Sequence, residues 1–100
     1  MKFCEKVYDA IKKIPKGKVA TYKEVAQYIG VPKSARAVGN ALHKNPLPIV
    51  QPCHRVVNSK GELAKNFGYN GIDGQKQLLI KEGVELIDYK VDLNKYLFKF

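Results

Sequence analysis

Cys53, His54 and Arg55 stand side by side in the run Ile49-Val50-Gln51-Pro52-Cys53-His54-Arg55-Val56-Val57, the densest reactive chemistry in the chain. The thiolate is the nucleophilic form of cysteine, and neighbouring cations favour it. His54 and Arg55 are therefore useful neighbours for Cys53. The same run also fits a small buried cysteine packed as a hydrophobe, and most buried cysteines are inert. The rest of the chain has to decide between the two.

A metal site is the first alternative use of these residues, and the spacing argues against it. The cysteines are Cys4 and Cys53, and the histidines are His43 and His54. There is no Cys-x-x-Cys pair and no His/Cys cluster of the kind that holds zinc. Cys4 shares an apolar helix spacing with Phe3 and Val7 and reads as a packing residue. No metal and no cofactor are expected.

The elements around the reactive run follow from periodicity. Phe3, Cys4, Val7, Ala10, Ile11 and Ile14 mark an amphipathic helix over 3–13, ended by Pro15 and Gly17. Val19-Ala20 fits a short extended link. Thr21-Tyr22-Lys23-Glu24 has the capping-box pattern and opens a helix through Ile29, with Val25, Ala26 and Ile29 inward and Gly30 as its cap. After a tight turn at 31–33, a helix over 34–44 points Ala35, Val38, Ala41 and Leu42 inward. Two short helices joined by such a turn fit a helix-turn-helix, and they fit an ordinary helical hairpin as well. Asn45-Pro46-Leu47-Pro48 forms a rigid turn. Residues 58–61 suit a tight turn and 64–74 a glycine-punctuated loop. Asp73 is expected to cap a last helix through Glu82, with Leu78 and Leu79 inward and Gly83 as its stop. The alternating tail (Val84/Leu86, Val91/Leu93, Tyr96/Phe98/Phe100) suggests a terminal hairpin or strand pair. The fold class expected is mainly α with a small β component.

Composition narrows the function classes. One hundred residues make a single domain, 1–100, with 45% hydrophobic and 27% charged residues, an ordinary globular balance. No apolar run approaches the roughly 20 residues of a membrane span. The first residues lack the apolar region of a signal peptide, so a cytoplasmic location is expected. Eighteen Lys and Arg against nine Asp and Glu give a net charge of +9. That excess favours a polyanionic partner, most simply nucleic acid. A surplus of solvated lysine explains it equally well, whereas a membrane surface would need a basic amphipathic helix that is not present.

Three stretches together resemble the catalytic domain of the methylated-DNA–protein-cysteine methyltransferases, the 6-O-alkylguanine-DNA alkyltransferases. They are Gly17-Lys18-Val19-Ala20-Thr21-Tyr22-Lys23-Glu24-Val25-Ala26, then Ser34-Ala35-Arg36-Ala37-Val38-Gly39-Asn40-Ala41-Leu42 with Asn45-Pro46, and finally Pro52-Cys53-His54-Arg55-Val56-Val57. The resemblance runs over about 3–83 and leaves 84–100 as a C-terminal extension. It implies a winged-helix-like helix-turn-helix domain acting as a monomer on double-stranded DNA that contains alkylated guanine. An alkyl group on the exocyclic oxygen of a flipped-out guanine would pass once and irreversibly to Cys53, with no cofactor. The choice between 6-O-alkylguanine and 4-O-alkylthymine stays open.

The resemblance also distributes roles. Cys53 is the acceptor, His54 its base, Glu82 the acid that orients His54, and Tyr22 the hydroxyl that bonds and protonates the base. Neighbours on a strand point to opposite faces, so the family's pairing of Cys53 with His54 implies a turn and a bridging water. Asn45 holds the active-site turn, and the Val56 carbonyl meets the guanine amino group. Tyr69, Asn70 and Gly71 close over the base, with Phe67 the alternative to Tyr69. Arg36 fills the gap left in the duplex, from a recognition helix whose small Ala35, Ala37 and Gly39 allow close approach; Thr21 adds a DNA contact. Plainer readings stand beside these. Glu82 fits a solvated helix-end carboxylate, Tyr22 a half-buried aromatic, Asn45 a simple Asn-Pro turn and Arg36 a phosphate contact. Arg55 reads as a structural ion-pair residue.

Two features depart from the family. Gln51 is polar where the family has an apolar residue, and the family's frequent N-terminal domain has no counterpart in the sequence. Two rival classes also remain. Alkyltransferase-like damage sensors share the fold but replace the cysteine, usually with tryptophan. This chain keeps Cys53 and contains no tryptophan. A helix-turn-helix regulator would not require Pro-Cys-His-Arg.

Overall fold

The structure is a computed structural model describing residues 2–44, 52–64 and 71–100. Helix α1 (Phe3–Ile11) buries Val7, Ala10 and Ile11. It stops short of the expected residue 13 because Pro15 restricts the residue before it and cannot donate. The chain tightens instead, with Lys13 N–H on Ala10 O and Ile14 N–H on Ile11 O, both at 3.1 Å. Strand β1 (Ala20–Thr21) leads directly into α2 (Tyr22–Tyr28). Thr21 caps α2 by accepting from the Glu24 N–H at 3.1 Å, as its Ser/Thr-x-x-Glu spacing predicts. Gly30 takes φ +88°, and Val31 N–H reaches back to Ala26 O at 2.9 Å, a left-handed helix stop that glycine accommodates without strain. Helix α3 (Ala35–His43) buries Val38, Ala41 and Leu42 against α1 and α2. The Tyr8 hydroxyl donates to Ala41 O at 2.8 Å and ties α1 to α3.

The reactive run turns through a 3-10 segment, Cys53–Arg55, into strand β2 (Val56–Val57). Strand β2 pairs parallel to β1, with Ala20 opposite Val56 and Thr21 opposite Val57. That register sets the start of α2, and hence Tyr22, beside the segment that carries Cys53. One core cluster holds Val7, Ala10, Ile11, Ile14, Val25, Ala26, Val38 and Ala41 together with Cys53 and Val56. Full burial of each large aliphatic side chain among them contributes about 1.5–3 kcal/mol.

Helix α4 spans Gly71–Lys81, not Asp73–Glu82. Asp73 lies in its first turn rather than capping it, and its carboxylate accepts from the Tyr89 hydroxyl at 2.8 Å. Residues 71–74, read as loop from their glycines, are therefore helical; 65–70 fall outside the described residues. Gly83 ends the helix at φ +89° with Val84 N–H on Leu79 O. The tail forms a hairpin of β3 (Leu86–Ile87) and β4 (Lys90–Val91). Its two turn residues, Asp88 and Tyr89, both have positive φ, the geometry that matches strand twist. Gly61 packs against it so closely that a Cβ would strike the Val91 carbonyl. The expected strand at Tyr96 is instead α5 (Leu93–Tyr96), capped by Asp92. The chain then returns to bridge Val19 through Leu97, with Phe98 N–H on Val19 O at 2.7 Å. The architecture is mainly helical with a small β component.

Candidate active site around Cys53

Cys53 and His54 lie in a 3-10 turn and not in a strand, which would have sent their side chains to opposite faces. Arg55 N–H closes it on Pro52 O at 3.0 Å. Cys53 keeps 8% of its surface exposed and His54 only 2%.

His54 Nε2 stands 3.1 Å from Glu82 Oε2. Arg55 grips the same carboxylate with two bonds, Nε to Oε1 at 2.9 Å and Nη2 to Oε2 at 2.6 Å. Its Nη1 also donates to Ile14 O at 2.7 Å, just beyond α1. Burial alone would raise the Glu82 pKa. The bonds and charges of Arg55 and His54 outweigh it and hold the carboxyl below its ordinary 4.5. Glu82 is thus an anion clamped between two neighbours, not a solvated helix end. Arg55 is the ion-pair residue its sequence position suggests. Nε2 is the ring nitrogen that faces the carboxylate.

Tyr22, in the first turn of α2, packs against the core cluster that includes Cys53. Burial first, and then the neighbouring charge of Cys53, raises its pKa above the ordinary 10.0. Its phenol therefore stays protonated at neutral pH and remains a donor. Its ring lies over Gly39 of α3, where a methyl group in place of the glycine hydrogen would make only an ordinary contact. Tyr8 of α1 packs against the same core cluster. Burial, then the charge and hydrogen bond of Cys4 and the charge of Cys53, raise its pKa as well. Sequence patterning had no signal for Tyr8, whose place depends on how α1 packs.

Gln75 is the second residue that patterning missed. It is fully buried in α4. Its Nε2 donates to His54 O and to Val56 O, both at 3.0 Å, and its Oε1 accepts from Ala64 N–H at 2.7 Å. Gln75 and Glu82 lie seven residues apart, on one side of the helix. The two grip the reactive segment at different points, one by backbone carbonyls and one by side chains.

The remaining expected residues divide as follows. Val56 is buried, with its carbonyl facing Gln75. Gly71 opens α4 at φ +63°. Arg36 and Ala37 are exposed on α3, while Ala35 and Gly39 are half-buried. Thr21 is buried and its hydroxyl caps α2, which leaves little of it to offer DNA. Asn45, Tyr69 and Asn70, like Gln51, lie outside the described residues. Among the described residues no three metal-ligating side chains gather, and no helix is long and apolar enough to cross a membrane.

The family model for the DNA binding domain of 6-O-methylguanine DNA methyltransferase matches residues 2–84. The chain belongs to this family. Among relatives, Alkyltransferase-like protein 1 of Schizosaccharomyces pombe is 46% identical over 103 residues, covering 97% of this chain and 94% of its own. A methylated-DNA–protein-cysteine methyltransferase of Methanosarcina acetivorans is 46% identical over 82 residues, covering 81% of this chain and 51% of its own. The chain thus spans about half the length of that methyltransferase. The crystal structure of S. pombe Atl1 with damaged DNA containing O6-carboxymethylguanine superposes with a TM-score of 0.89 at 43% identity, over 98% of this chain and 95% of that one. These matches place the fold among the alkyltransferase DNA-binding domains.

Proposed function

We propose that this family member binds duplex DNA at a 6-O-alkylated guanine, flips the base out and takes its alkyl group onto Cys53. The arrangement that carries the reading is the part-buried His54–Glu82–Arg55 unit built onto the turn that holds Cys53. His54, oriented by Glu82, takes the thiol proton through a water. The Cys53 thiolate attacks the alkyl carbon in line. The new S–C bond forms as the C–O bond breaks, and the electron pair stays on the guanine. The protonated Tyr22 hydroxyl supplies the proton that neutralises the departing base. Val56 O accepts from the guanine amino group, and Asn45, Tyr69, Asn70 and Gly71 complete the base site.

A duplex with one 6-O-methylguanine inside a restriction site tests the reading from the DNA side. Stoichiometric protein should restore guanine and hence cleavage by an endonuclease that the lesion blocks. Persistent blockage under a tight complex would contradict it.

Arg36, exposed near the start of α3, is the finger that occupies the vacated stack, since filling that space offsets the few kcal/mol of unstacking. Arg36→Ala should slow repair in duplex at least tenfold while leaving attack on the free alkylguanine base within about twofold. Parallel single-turnover rates on the two substrates measure this, and equal losses on both would remove the finger role.

The near full-length match to Alkyltransferase-like protein 1 favours a second reading, lesion binding without transfer. Retention of Cys53 supports transfer.

A further inference from the structure

We infer that Gln75 is a positioning residue that sets how the site reads the 2-amino group of guanine; the inference rests on the proposed contact between that group and the Val56 carbonyl. Gln75 has no exposed surface and can touch neither DNA nor base. Its carboxamide nevertheless joins three separate segments. It donates to the carbonyls on either side of Arg55, those of His54 and Val56, and accepts from Ala64. Both N–H groups and one oxygen lone pair are used, so the amide has a single workable orientation. Reversed, it would set its NH2 against the Ala64 N–H and its oxygen against two carbonyls.

No other side chain of this length supplies the set. A carboxylate lacks the two donors, an ammonium lacks the acceptor, and a thioether lacks both. The consequence falls on direction. A carbonyl oxygen offers two lone pairs, and the Gln75 N–H on one of them fixes where the other points. It also polarises the oxygen, since hydrogen bonds in a buried chain strengthen one another. Its bond from Ala64 makes the same amide a strut between the reactive turn and the chain at Ala64.

The experiment compares affinity for duplexes holding 6-O-methylguanine and 6-O-methylhypoxanthine, which differ only in the 2-amino group. Measuring it in Cys53→Ser protein keeps transfer from intervening. The parent should prefer the guanine lesion by roughly three- to tenfold, the worth of one well-placed hydrogen bond. Gln75→Met, which keeps the shape and loses all three bonds, should bring the preference close to one. So should Gln75→Glu, which keeps only the acceptor. A preference unchanged in folded variants would overturn the inference and reduce Gln75 to packing. No preference in the parent would overturn the Val56 contact, and the inference with it. Methyl capture by the wild type, scored separately, reports on transfer alone. Should neither variant fold, the Gln75 side-chain amide protons of the wild type serve instead. Their NMR signals should shift with 6-O-methylguanine DNA and not with the hypoxanthine lesion; identical responses would overturn the inference.

Discussion

Replacing Glu82 by alanine should cost about 3–5 kcal/mol of stability and bring methyl capture down with it. Arg55 would then face a partly dry site without its counter-charge, His54 would lose the carboxylate beside it, and removing one partner of such a pair is strongly destabilising. Two of the bonds that anchor Arg55 end on this carboxylate, and the third holds Ile14 O. Its loss of anchorage would therefore also loosen the junction between α1 and the reactive turn. For a chain of this size the loss lowers the melting temperature by roughly 12 °C or more. Thermal denaturation of Glu82→Ala reads it directly, and a melting point equal to the wild type's would show the ion pair to be idle. The pH dependence follows from the same group. Its native pKa lies below 4.5, so its contribution is complete above that value. It fades as pH falls through 4.5 toward the depressed native value, where the folded carboxylate finally protonates. Glu82→Gln should remove this part of the acid limb, and an unaltered acid transition would contradict the assignment.

Cys53→Ser should eliminate transfer while leaving lesion binding within about twofold. A serine hydroxyl is far less acidic than a thiol and a much weaker nucleophile at neutral pH. The substitution is nearly isosteric, and none of the bonds holding Arg55 and Gln75 passes through the sulfur. Binding by titration and transfer by labelled methyl separate the two effects. Residual transfer in Cys53→Ser would move the acceptor elsewhere. Cys4, part-buried beside Tyr8, is the only other thiol in the sequence.

Much of this was legible from residue order, and the reasons differ by element. The helices around Val7, Val25 and Val38 follow apolar spacing, and the Thr21 cap follows local chemistry. Both signals are confined to a few residues. Asp73 misled because its carboxylate is engaged by Tyr89, sixteen residues away, in a hairpin that no local pattern joins to it. Tyr96 alternates like a strand residue, but Asp92 caps a helical turn there. Gln75 reads as a polar helix residue, and only the packing of α4 on the reactive turn makes it a buried strut. Glu82 entered through family resemblance alone; the structure supplies the physical cause in Arg55 and His54. Glu82 and Gln75 have partners that lie far away in sequence, where periodicity carries no information.

Whether Cys53 accepts the alkyl group is decided by the intact mass of the wild-type protein after incubation with duplex DNA containing 6-O-methylguanine. Transfer requires a single added CH2, a methyl in place of the thiol proton, mapped by peptide fragmentation to Cys53 and reaching one per molecule. An unchanged mass in protein that binds the lesion tightly would contradict it and leave this chain a reader of damage.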